Sequence, residues 1–564
     1  MKHWISFTLS ISLITLLGTP TLVSAQQSDR PNIVLILADD LGYTDISPFG
    51  SEISTPNIAR LAEQGLSFTN YHTAGSCAPA RAMLLTGVDS HRNGVPNIPE
   101  ALTEEQMAYE HYQGVLSDKV VTLATVLQDN GYHTYMTGKW HLGHTPELLP
   151  SSRGFDRTIA MADTGADNWE LRTYLPIYDR ANWYADGAEH TLPDDFYSSE
   201  YFIDKTIEFI GSNAEDGNPF FAYIPFQAVH MPVQAPREFS DKYASVYDEG
   251  WTVMRERRRL AAEEAGVIPA GTQAAVTPGT LAWDSLTDDQ KRYNARRMEV
   301  YAGMVEAMDL HIGRLMAYLQ SIGEYENTIF VFTSDNGAEG SNVVQQDGNS
   351  LLSRWFERVG YNTDYETLGE RNSWNSIGAS NATIAASPLY YYKFHASEGG
   401  LRVPLVMAGP GINRSEELTD EFVFVTDLAP TILTLVGVEN HHGNWQNREV
   451  EPIIGKDFSA FLVGDDAPVH DDSNPIGYEL GGNSALFKGD YKIVINRAGQ
   501  NESDWHLFNI KADPGETTDL AQQMPALLEE MLADYEVYVQ TNNVLPMPAG
   551  NGSGRILGDA LRQQ

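Results

Sequence analysis

Cysteine is nearly absent from this sequence: Cys77 is the single thiol in 564 residues. A disulfide within the chain is therefore excluded, because that bond joins two cysteines. A lone cysteine is most often a small, buried, apolar side chain. In an exported protein it can also pair with another molecule, react, or be converted to something other than cysteine. The surrounding stretch SCAPARAMLLTG, at 76–87, therefore needs its own explanation.

Basic residues are also scarce. The chain has 37 Lys and Arg against 76 Asp and Glu, which gives a formal net charge of −39 at pH 7. Such a surface repels nucleic acid phosphates and anionic membranes, so we expect neither as a partner. An anionic substrate would need a local cluster of cations.

Long apolar runs are missing beyond the N-terminus. Lys2 and His3 precede an apolar run at 4–17, and the small residues of Val23-Ser24-Ala25 suit a cleavage site. This pattern predicts a signal peptide at 1–25 and hence a periplasmic or secreted protein. No later stretch approaches the roughly 18 apolar residues of a membrane span, so we expect a soluble mature protein.

Helix and strand signals alternate through most of the chain. Residues 32–38 form a short, unbroken apolar run, which is typical of a strand buried on both faces of a parallel sheet. Helical patterns at 55–65, 121–131 and 292–320 are each followed by another short apolar run. This alternation predicts an α/β fold around a parallel sheet.

After about Glu439 the pattern changes to alternating apolar and polar residues, as in ALFKGDYKIVIN at 485–496. Such alternation is typical of antiparallel strands, and a closing helix is predicted near 525–540. We therefore predict a catalytic domain at 26–440 and a smaller C-terminal α+β domain with an antiparallel sheet at 441–564.

Two strand ends carry oxygen ligands. Asp39 and Asp40 follow the first predicted strand, and Asp335 and Asn336 follow the strand TIFVFTS. Open α/β sheets bind ligands at the carboxyl ends of their strands, and this all-oxygen set suits Ca²⁺ or Mg²⁺. Each pair can equally well cap a helix or form a turn.

A candidate nucleophile and several cations are spread along the chain. Cys77 lies just before Pro79, a residue suited to the first helical position, so it is expected near a helix N-terminus that stabilises negative charge. The candidate cations are Arg81, Lys139, His141, His230 and Lys393. Any one of them is more often an ordinary surface or core group. Together they can supply the positive cluster that an anionic substrate needs.

Several motifs resemble one family. Cys-x-Pro-x-Arg at 77–81, followed by AMLLTG, resembles the signature of the type I, formylglycine-dependent sulfatases. GYHTYMTGKWHLG at 131–143 is similar to the second signature of that family, although Thr137 stands where a smaller or aliphatic residue is more usual. SDNG at 334–337 and EGGLRVP at 398–404 also match in order, and the inserted region near 255–273 resembles the bacterial arylsulfatase branch.

The resemblance implies the alkaline phosphatase-like fold, with a large, mixed, mostly parallel sheet sandwiched by helices. It also implies that a formylglycine-generating enzyme oxidises Cys77 to Cα-formylglycine, whose aldehyde becomes hydrated to a gem-diol. It further implies one Ca²⁺, with Mg²⁺ as its substitute, held by a set of oxygen ligands: Asp39, Asp40, Asp335, Asn336 and the modified residue 77.

The family's roles carry over onto the matching positions. The gem-diol would attack sulfur while Asp335 takes its proton, and Lys139 and Lys393 would neutralise the sulfate oxygens. His230, following a strand, is expected to point at the mouth of the site, away from the metal, and to protonate the departing alcohol. His395 is the next candidate for that acid.

The covalent sulfo-enzyme would then break down when His141 takes a proton from the second hydroxyl, and Arg81 would hold the hydrate and the carboxylates. The implied reaction is hydrolysis of an aryl, alkyl or carbohydrate sulfate ester. A phosphate or phosphonate ester hydrolase is the alternative within the fold, and an exported binding protein without turnover is the alternative outside it. Aromatic residues of the predicted pocket rim, at 233–290 and 340–392, are candidates to stack on a substrate ring.

Overall fold

A computed structural model of the protein describes Met1 and residues 30–341, 351–415, 417–471, 473–497 and 502–546. The signal peptide predicted at 1–25 lies outside the described residues, apart from Met1. Within the described ranges, no helix combines the length and the apolar character that crossing a membrane requires.

The strands of the described chain are β1 (Asn32–Ala38), β2 (Gly65–Phe68), β3 (Tyr71–His72), β4 (His133–Lys139), β5 (Arg157–Met161), β6 (Trp183–Ala185), β7 (Ala188–Glu189), β8 (Phe220–Pro225), β9 (Thr328–Ser334), β10 (Leu405–Ala408), β11 (Glu417–Thr419), β12 (Val423–Phe424), β13 (Asn444–Trp445), β14 (Arg448–Glu449), β15 (Ile476–Leu480), β16 (Asn483–Lys488), β17 (Tyr491–Asn496) and β18 (His506–Asn509).

The helices are α1 (Pro56–Gln64), α2 (Cys77–Thr86), α3 (Ser90–Asn93), α4 (Leu123–Asp129), α5 (Ser198–Asn213), α6 (Arg237–Ser240), α7 (Trp251–Glu264), α8 (Asp288–Ser321), α9 (Leu351–Arg358), α10 (Gly378–Ala385), α11 (Glu398–Leu401), α12 (Leu428–Leu435), α13 (Ser459–Leu462) and α14 (Pro525–Asn542).

A ten-stranded mixed sheet forms the centre of the molecule, in the order β11-β2-β10-β9-β1-β8-β4-β5-β6-β7. Its five middle strands, β9 to β5, run parallel, whereas β10, β6 and β7 pair with their neighbours in antiparallel fashion. The prediction of a large, mostly parallel sheet is therefore confirmed. The antiparallel members lie towards the edges, where the helical crossovers of the middle strands are no longer needed.

Both faces of this sheet are covered. Along β1, Val34 and Ile36 belong to one apolar core, and Ile33 and Leu35 belong to a second core on the opposite face, as the alternation of side chains in a strand requires. Helices α5 and α8 contribute to the first core, and α2, α4 and α12 contribute to the second. An unbroken apolar run such as β1 follows from burial on both sides.

The C-terminal segment forms the predicted antiparallel sheet, β15-β16-β17-β18, with α14 packed against it. Ala485 and Phe487 of β16 join the second core of the large sheet, whereas Leu486 between them contacts the cluster that contains Met531 of α14. This small sheet is therefore covered on both faces. Because the two parts share a core, the domain boundary at 440/441 stays a prediction.

Candidate active site

The carboxyl ends of β1 and β9 lie side by side because the two strands pair in parallel. Asp39 and Asp40 directly follow β1, and Asp335 and Asn336 directly follow β9, where all four are buried. Ligand atoms from four residues lie within 4.8 Å of one another, namely those of Asp39, Asp40, Cys77 and Asp335. The structure thus brings together both predicted ligand pairs and the predicted nucleophile position.

This cluster fits a hard divalent cation. Asn336 Nδ2 donates to Asp40 Oδ1 at 2.7 Å, while its Oδ1 is buried without a hydrogen-bond partner among the described residues. Burial raises the pKa of Asp39 to about 7, and neighbouring carboxylates add to this effect although nearby cations oppose it. Crowded carboxylates beside an unpartnered carbonyl oxygen are the donors that Ca²⁺ or Mg²⁺ takes.

Cys77 is the first residue of α2, with Ser76 at the N-cap position. Pro79 was expected at the first helical position, but it is the third residue of α2. Proline is tolerated there because the amides of the first turn have no partner within the helix. Cys77 Sγ lies 3.8 Å from Asp40 Oδ1, and burial raises the pKa of the thiol well above its usual range. An unmodified thiol in this state is a poor nucleophile.

Arg81, one turn along α2, ties the cluster together. Its Nε and Nη2 donate to Asp335 Oδ2 at 2.9 and 2.7 Å, and Nη1 donates to the carbonyl of Lys139 at 2.7 Å. Nη2 also lies 3.4 Å from Asp39 Oδ1. The structure therefore places Arg81 against the predicted metal-side carboxylates. Asp335, the residue predicted to take a proton, therefore accepts two hydrogen bonds from a permanently charged guanidinium group.

The two predicted lysines lie against the carboxylates. Lys139 Nζ donates to both oxygens of Asp39, at 2.9 and 2.7 Å, and Lys393 Nζ donates to Asp40 Oδ2 at 2.9 Å. Lys393 also lies 3.2 Å from Glu339, a residue that the sequence analysis missed. The sequence could have indicated Glu339, because this carboxylate lies only three residues after Asn336, a predicted metal ligand.

His230 does not point away from the predicted metal ligands, so this part of its predicted orientation is wrong. β8 ends at Pro225, and the next five residues fold across the end of β1, because their backbone exchanges two hydrogen bonds with the backbone of Asp39. His230 Nε2 therefore lies 3.6 Å from Asp40 Oδ2, beside the metal-side carboxylates. Burial, together with the nearby Lys139, lowers the pKa of His230 well below its usual range.

His141 contacts a carboxylate outside the cluster. Its Nε2 lies 3.3 Å from Glu100 Oε2, while its Nδ1 is buried without a hydrogen-bond partner among the described residues. Tyr178 donates its hydroxyl hydrogen to Glu100 Oε1. Sequence analysis missed Glu100, in the short 3₁₀ helix Pro99–Ala101, and Tyr178, in an irregular segment, because no motif marks either position.

A cavity of about 140 Å³ opens beside the cluster. Position 77, His230, Lys393, Glu100 and Glu339 line one part of it. The remaining wall is largely apolar and includes Ile98, Tyr174, Leu175, Ile177, Met231 and Phe394. An ester bound at position 77 would therefore place its organic group against apolar side chains.

The aromatic residues predicted for the pocket rim pack elsewhere. Trp251, Trp355 and Trp374 are at most 3% exposed and belong to the first core. Tyr391 is also buried, and its ring stacks on His395 with centroids 4.1 Å apart. The cavity takes its aromatic wall from Tyr174 and Phe394 instead. Part of the predicted rim, 342–350, lies outside the described residues.

The fold and the site together define a class, the hydrolases of the alkaline phosphatase-like fold, with a metal-fitting carboxylate cluster at the carboxyl ends of the strands. The sulfatase family model matches residues 31–438, most of the chain. The protein belongs to the sulfatase family, and it is an enzyme that hydrolyses sulfate esters. This result favours the enzyme over the binding protein without turnover.

Two relatives are similar over most of their length. An uncharacterised sulfatase of Schizosaccharomyces pombe is 39% identical over 536 residues, which cover 93% of this chain and 96% of the relative. The arylsulfatase of Klebsiella aerogenes is 34% identical over 439 residues, which cover 77% of this chain and 93% of the relative.

Solved structures share the fold. The crystal structure of Ps i-CgsB has a TM-score of 0.65 at 24% identity, covering 95% of this chain and 97% of its own. The PsFucS1 sulfatase from Pseudoalteromonas sp. has a TM-score of 0.61 at 22% identity, covering 93% of each chain. At these identities the likeness extends to the fold alone.

Proposed function

We propose that the protein hydrolyses small aryl sulfates with Cα-formylglycine at position 77 and Ca²⁺ in the carboxylate cluster. The observation that carries this proposal is one buried cluster that contains Cys77, three carboxylates and Asn336 Oδ1, an oxygen without a hydrogen-bond partner in the part of the chain that the structure describes. A buried thiol of raised pKa has no use there as such, whereas a hydrated aldehyde supplies two hydroxyl groups, one to attack sulfur and one to release sulfate. Conversion requires a formylglycine-generating enzyme as a maturation partner.

The metal would be held by Asp39, Asp40, Asp335, Asn336 and residue 77. Ca²⁺ is the proposed ion and Mg²⁺ its substitute, since all the protein ligands are oxygen atoms. The bound ion would supply positive charge for the sulfate oxygens and acidify a hydroxyl that it binds.

The charge balance of the site supports an anionic substrate. Four carboxylates lie in or against the cluster (Asp39, Asp40, Asp335, Glu339), together with three basic side chains (Arg81, Lys139, Lys393). With all seven of these groups ionised, the net charge of the site is slightly negative. A divalent cation makes it positive, which suits the single negative charge of a sulfate monoester.

The side chains would divide the remaining work. Lys139 and Lys393 would orient and neutralise the sulfate, and Arg81 would keep the carboxylates in place. His230, with Nε2 beside the cluster and the cavity, would give a proton to the departing oxygen. His141 would accept a proton during the release of sulfate.

The apolar wall supports an aryl or other apolar leaving group over a carbohydrate. Tyr174 and Phe394 offer ring faces, and Leu175 and Ile177 offer aliphatic surface for such a group. The hydroxyl groups of Ser76, Thr164 and Ser341 also line the cavity, so the substrate panel includes sugar sulfates. The predicted signal peptide adds a periplasmic or secreted location to the proposal.

The experiment combines mass spectrometry, elemental analysis and a substrate panel on the purified protein. We expect an aldehyde at residue 77 in proportion to activity, about one Ca²⁺ or Mg²⁺ per chain, and turnover of nitrophenyl sulfate well above nitrophenyl phosphate and sugar sulfates. Full activity from chains that carry only unmodified Cys77 would refute the nucleophile. Stoichiometric zinc without calcium or magnesium would refute the metal.

A further inference from the structure

A buried histidine, a buried carboxylate and a half-buried tyrosine form a hydrogen-bonded chain at the cavity wall, which Glu100 helps to line. His141 Nε2 lies 3.3 Å from Glu100 Oε2, and the Tyr178 hydroxyl donates to Glu100 Oε1. Glu100 is 9% exposed and His141 is 2% exposed. The two ring nitrogens of His141 therefore differ sharply: Nε2 faces a carboxylate, and Nδ1 is buried without a partner among the described residues.

The contact with Glu100 determines which nitrogen of His141 carries the hydrogen. A carboxylate only accepts hydrogen bonds, so a neutral imidazole beside it donates through the nitrogen that faces it. Burial acts to raise the pKa of Glu100, but its contacts with His141 and Tyr178 outweigh burial, and the pKa is lowered. With hydrogen on Nε2, Nδ1 keeps a free lone pair and is the basic nitrogen.

We propose that Glu100 is a positioning residue that fixes the tautomer of His141, so that Nδ1 is the nitrogen that accepts a proton during sulfate release. This inference rests on the proposed function of His141. The proton comes from the hydroxyl that remains on residue 77. The electron pair of that O–H bond forms the carbonyl, and sulfate leaves with the electron pair of its bond to residue 77.

The hydroxyl group of Tyr178 determines how the amide group introduced by Glu100→Gln is oriented. In Glu100→Gln, the Tyr178 hydroxyl holds the amide oxygen on its own side, so the amide NH₂ group faces His141 Nε2. That group donates, and the ring must then carry its hydrogen on Nδ1, the wrong tautomer for a base at this atom. In Glu100→Gln combined with Tyr178→Phe the amide is free to turn its oxygen towards His141, which restores the tautomer.

The first test is stopped-flow kinetics of the mature enzyme with nitrophenyl sulfate. Wrong-tautomer variants lose most of the help of a general base, a factor of about 10²–10⁴. We expect E100Q to release nitrophenol in a rapid first turnover and then to turn over about 10²-fold or more slowly than the wild type. The double variant E100Q/Y178F should have a steady-state rate at least about tenfold higher than that of E100Q.

The second test needs no turnover. The ¹⁵N resonances of the His141 ring, in protein labelled on histidine, report which nitrogen carries the hydrogen. We expect hydrogen on Nε2 in the wild type, on Nδ1 in E100Q, and again on Nε2 in the double variant. The matched control is E479Q, since Glu479 contacts His91 Nε2 at 2.8 Å in a second buried pair. E479Q should leave the kinetics and the His141 resonances unchanged.

Three outcomes would overturn the inference: hydrogen on Nδ1 in the wild type, an E100Q variant whose steady-state rate equals that of the wild type, or equal losses in E100Q and the double variant. Failure of the proposed function is separate. It would appear as a wild type without aldehyde at residue 77 and without turnover of sulfate esters, whatever the tautomer of His141.

Discussion

The proposed acid, His230, is best tested by pairing His230→Ala with leaving groups of different basicity. His230 Nδ1 lies 2.5 Å from the carbonyl of Met231 and so donates its hydrogen there. Nε2 is the nitrogen beside the cluster, 3.6 Å from Asp40 Oδ2, and His230 lines the cavity. Because Nδ1 keeps its hydrogen, Nε2 can give a proton to the departing oxygen only from the imidazolium form of His230. Burial and Lys139 disfavour that form in the protein without substrate, and the negative charge of a bound sulfate ester favours it.

The size of the effect depends on the alcohol. General-acid help is typically a factor of about 10²–10⁴, which corresponds to roughly 3–5 kcal/mol of barrier. Nitrophenolate leaves without a proton, whereas an alkyl alkoxide does not. We expect His230→Ala to lower kcat/KM for an alkyl sulfate by about 10²-fold or more, and for nitrophenyl sulfate by about tenfold or less.

The control is Lys139→Ala, because Lys139 contacts Asp39 and is expected to act on the sulfate, which both substrates share. It should slow the two substrates by similar factors. Thermal unfolding of each variant checks that the fold is intact. Equal losses for both substrates in His230→Ala would refute the acid role, since a group that only binds sulfate or supports the loop cannot distinguish leaving groups. His395 would then be the next candidate.

Two further predictions concern stability. Lys492 is buried between Glu398 and Glu516, at 2.8 and 3.0 Å. Lys492→Met leaves the buried Glu516 without its cation, while Glu398 keeps Arg402, and should lower the free energy of unfolding by about 3–5 kcal/mol; an unchanged denaturation midpoint would contradict this. Burial acts to lower the pKa of His91, but hydrogen bonds with Asp89 and Glu479 outweigh it and raise the pKa to about 9. Because the folded pKa exceeds the unfolded value, this stabilisation is complete below about pH 6.5 and is lost as the pH rises through 9. Chemical denaturation at pH 6 and 9.5 should show that loss in the wild type and less of it in His91→Gln.

Local signals in the sequence were enough to predict much of the fold. The apolar run of β1 predicts burial on both faces, and Thr55, Pro56 and Gly65 bound α1 as the caps indicate. Because parallel strands present their carboxyl ends on one edge, the placement of Asp39 and Asp335 beside each other also followed from the sequence.

Motifs that span a few residues likewise placed position 77. Its helix begins at Cys77, and Arg81 follows one turn later because both belong to one local element. The antiparallel C-terminal sheet was predicted from its alternation, although α14 and the large domain bury both of its faces.

Only the tertiary structure decided how the loops meet. His230 turns back to Asp40 because its loop hydrogen-bonds with the backbone at the end of β1, and no pattern in the loop itself encodes that contact. Glu100 and His141 meet across 41 residues, and Lys393 reaches Asp40 across 353. Helices and strand ends are specified by residues that are neighbours along the chain. These contacts are specified by packing between segments that are distant in sequence, and such packing produces no periodic pattern in the sequence.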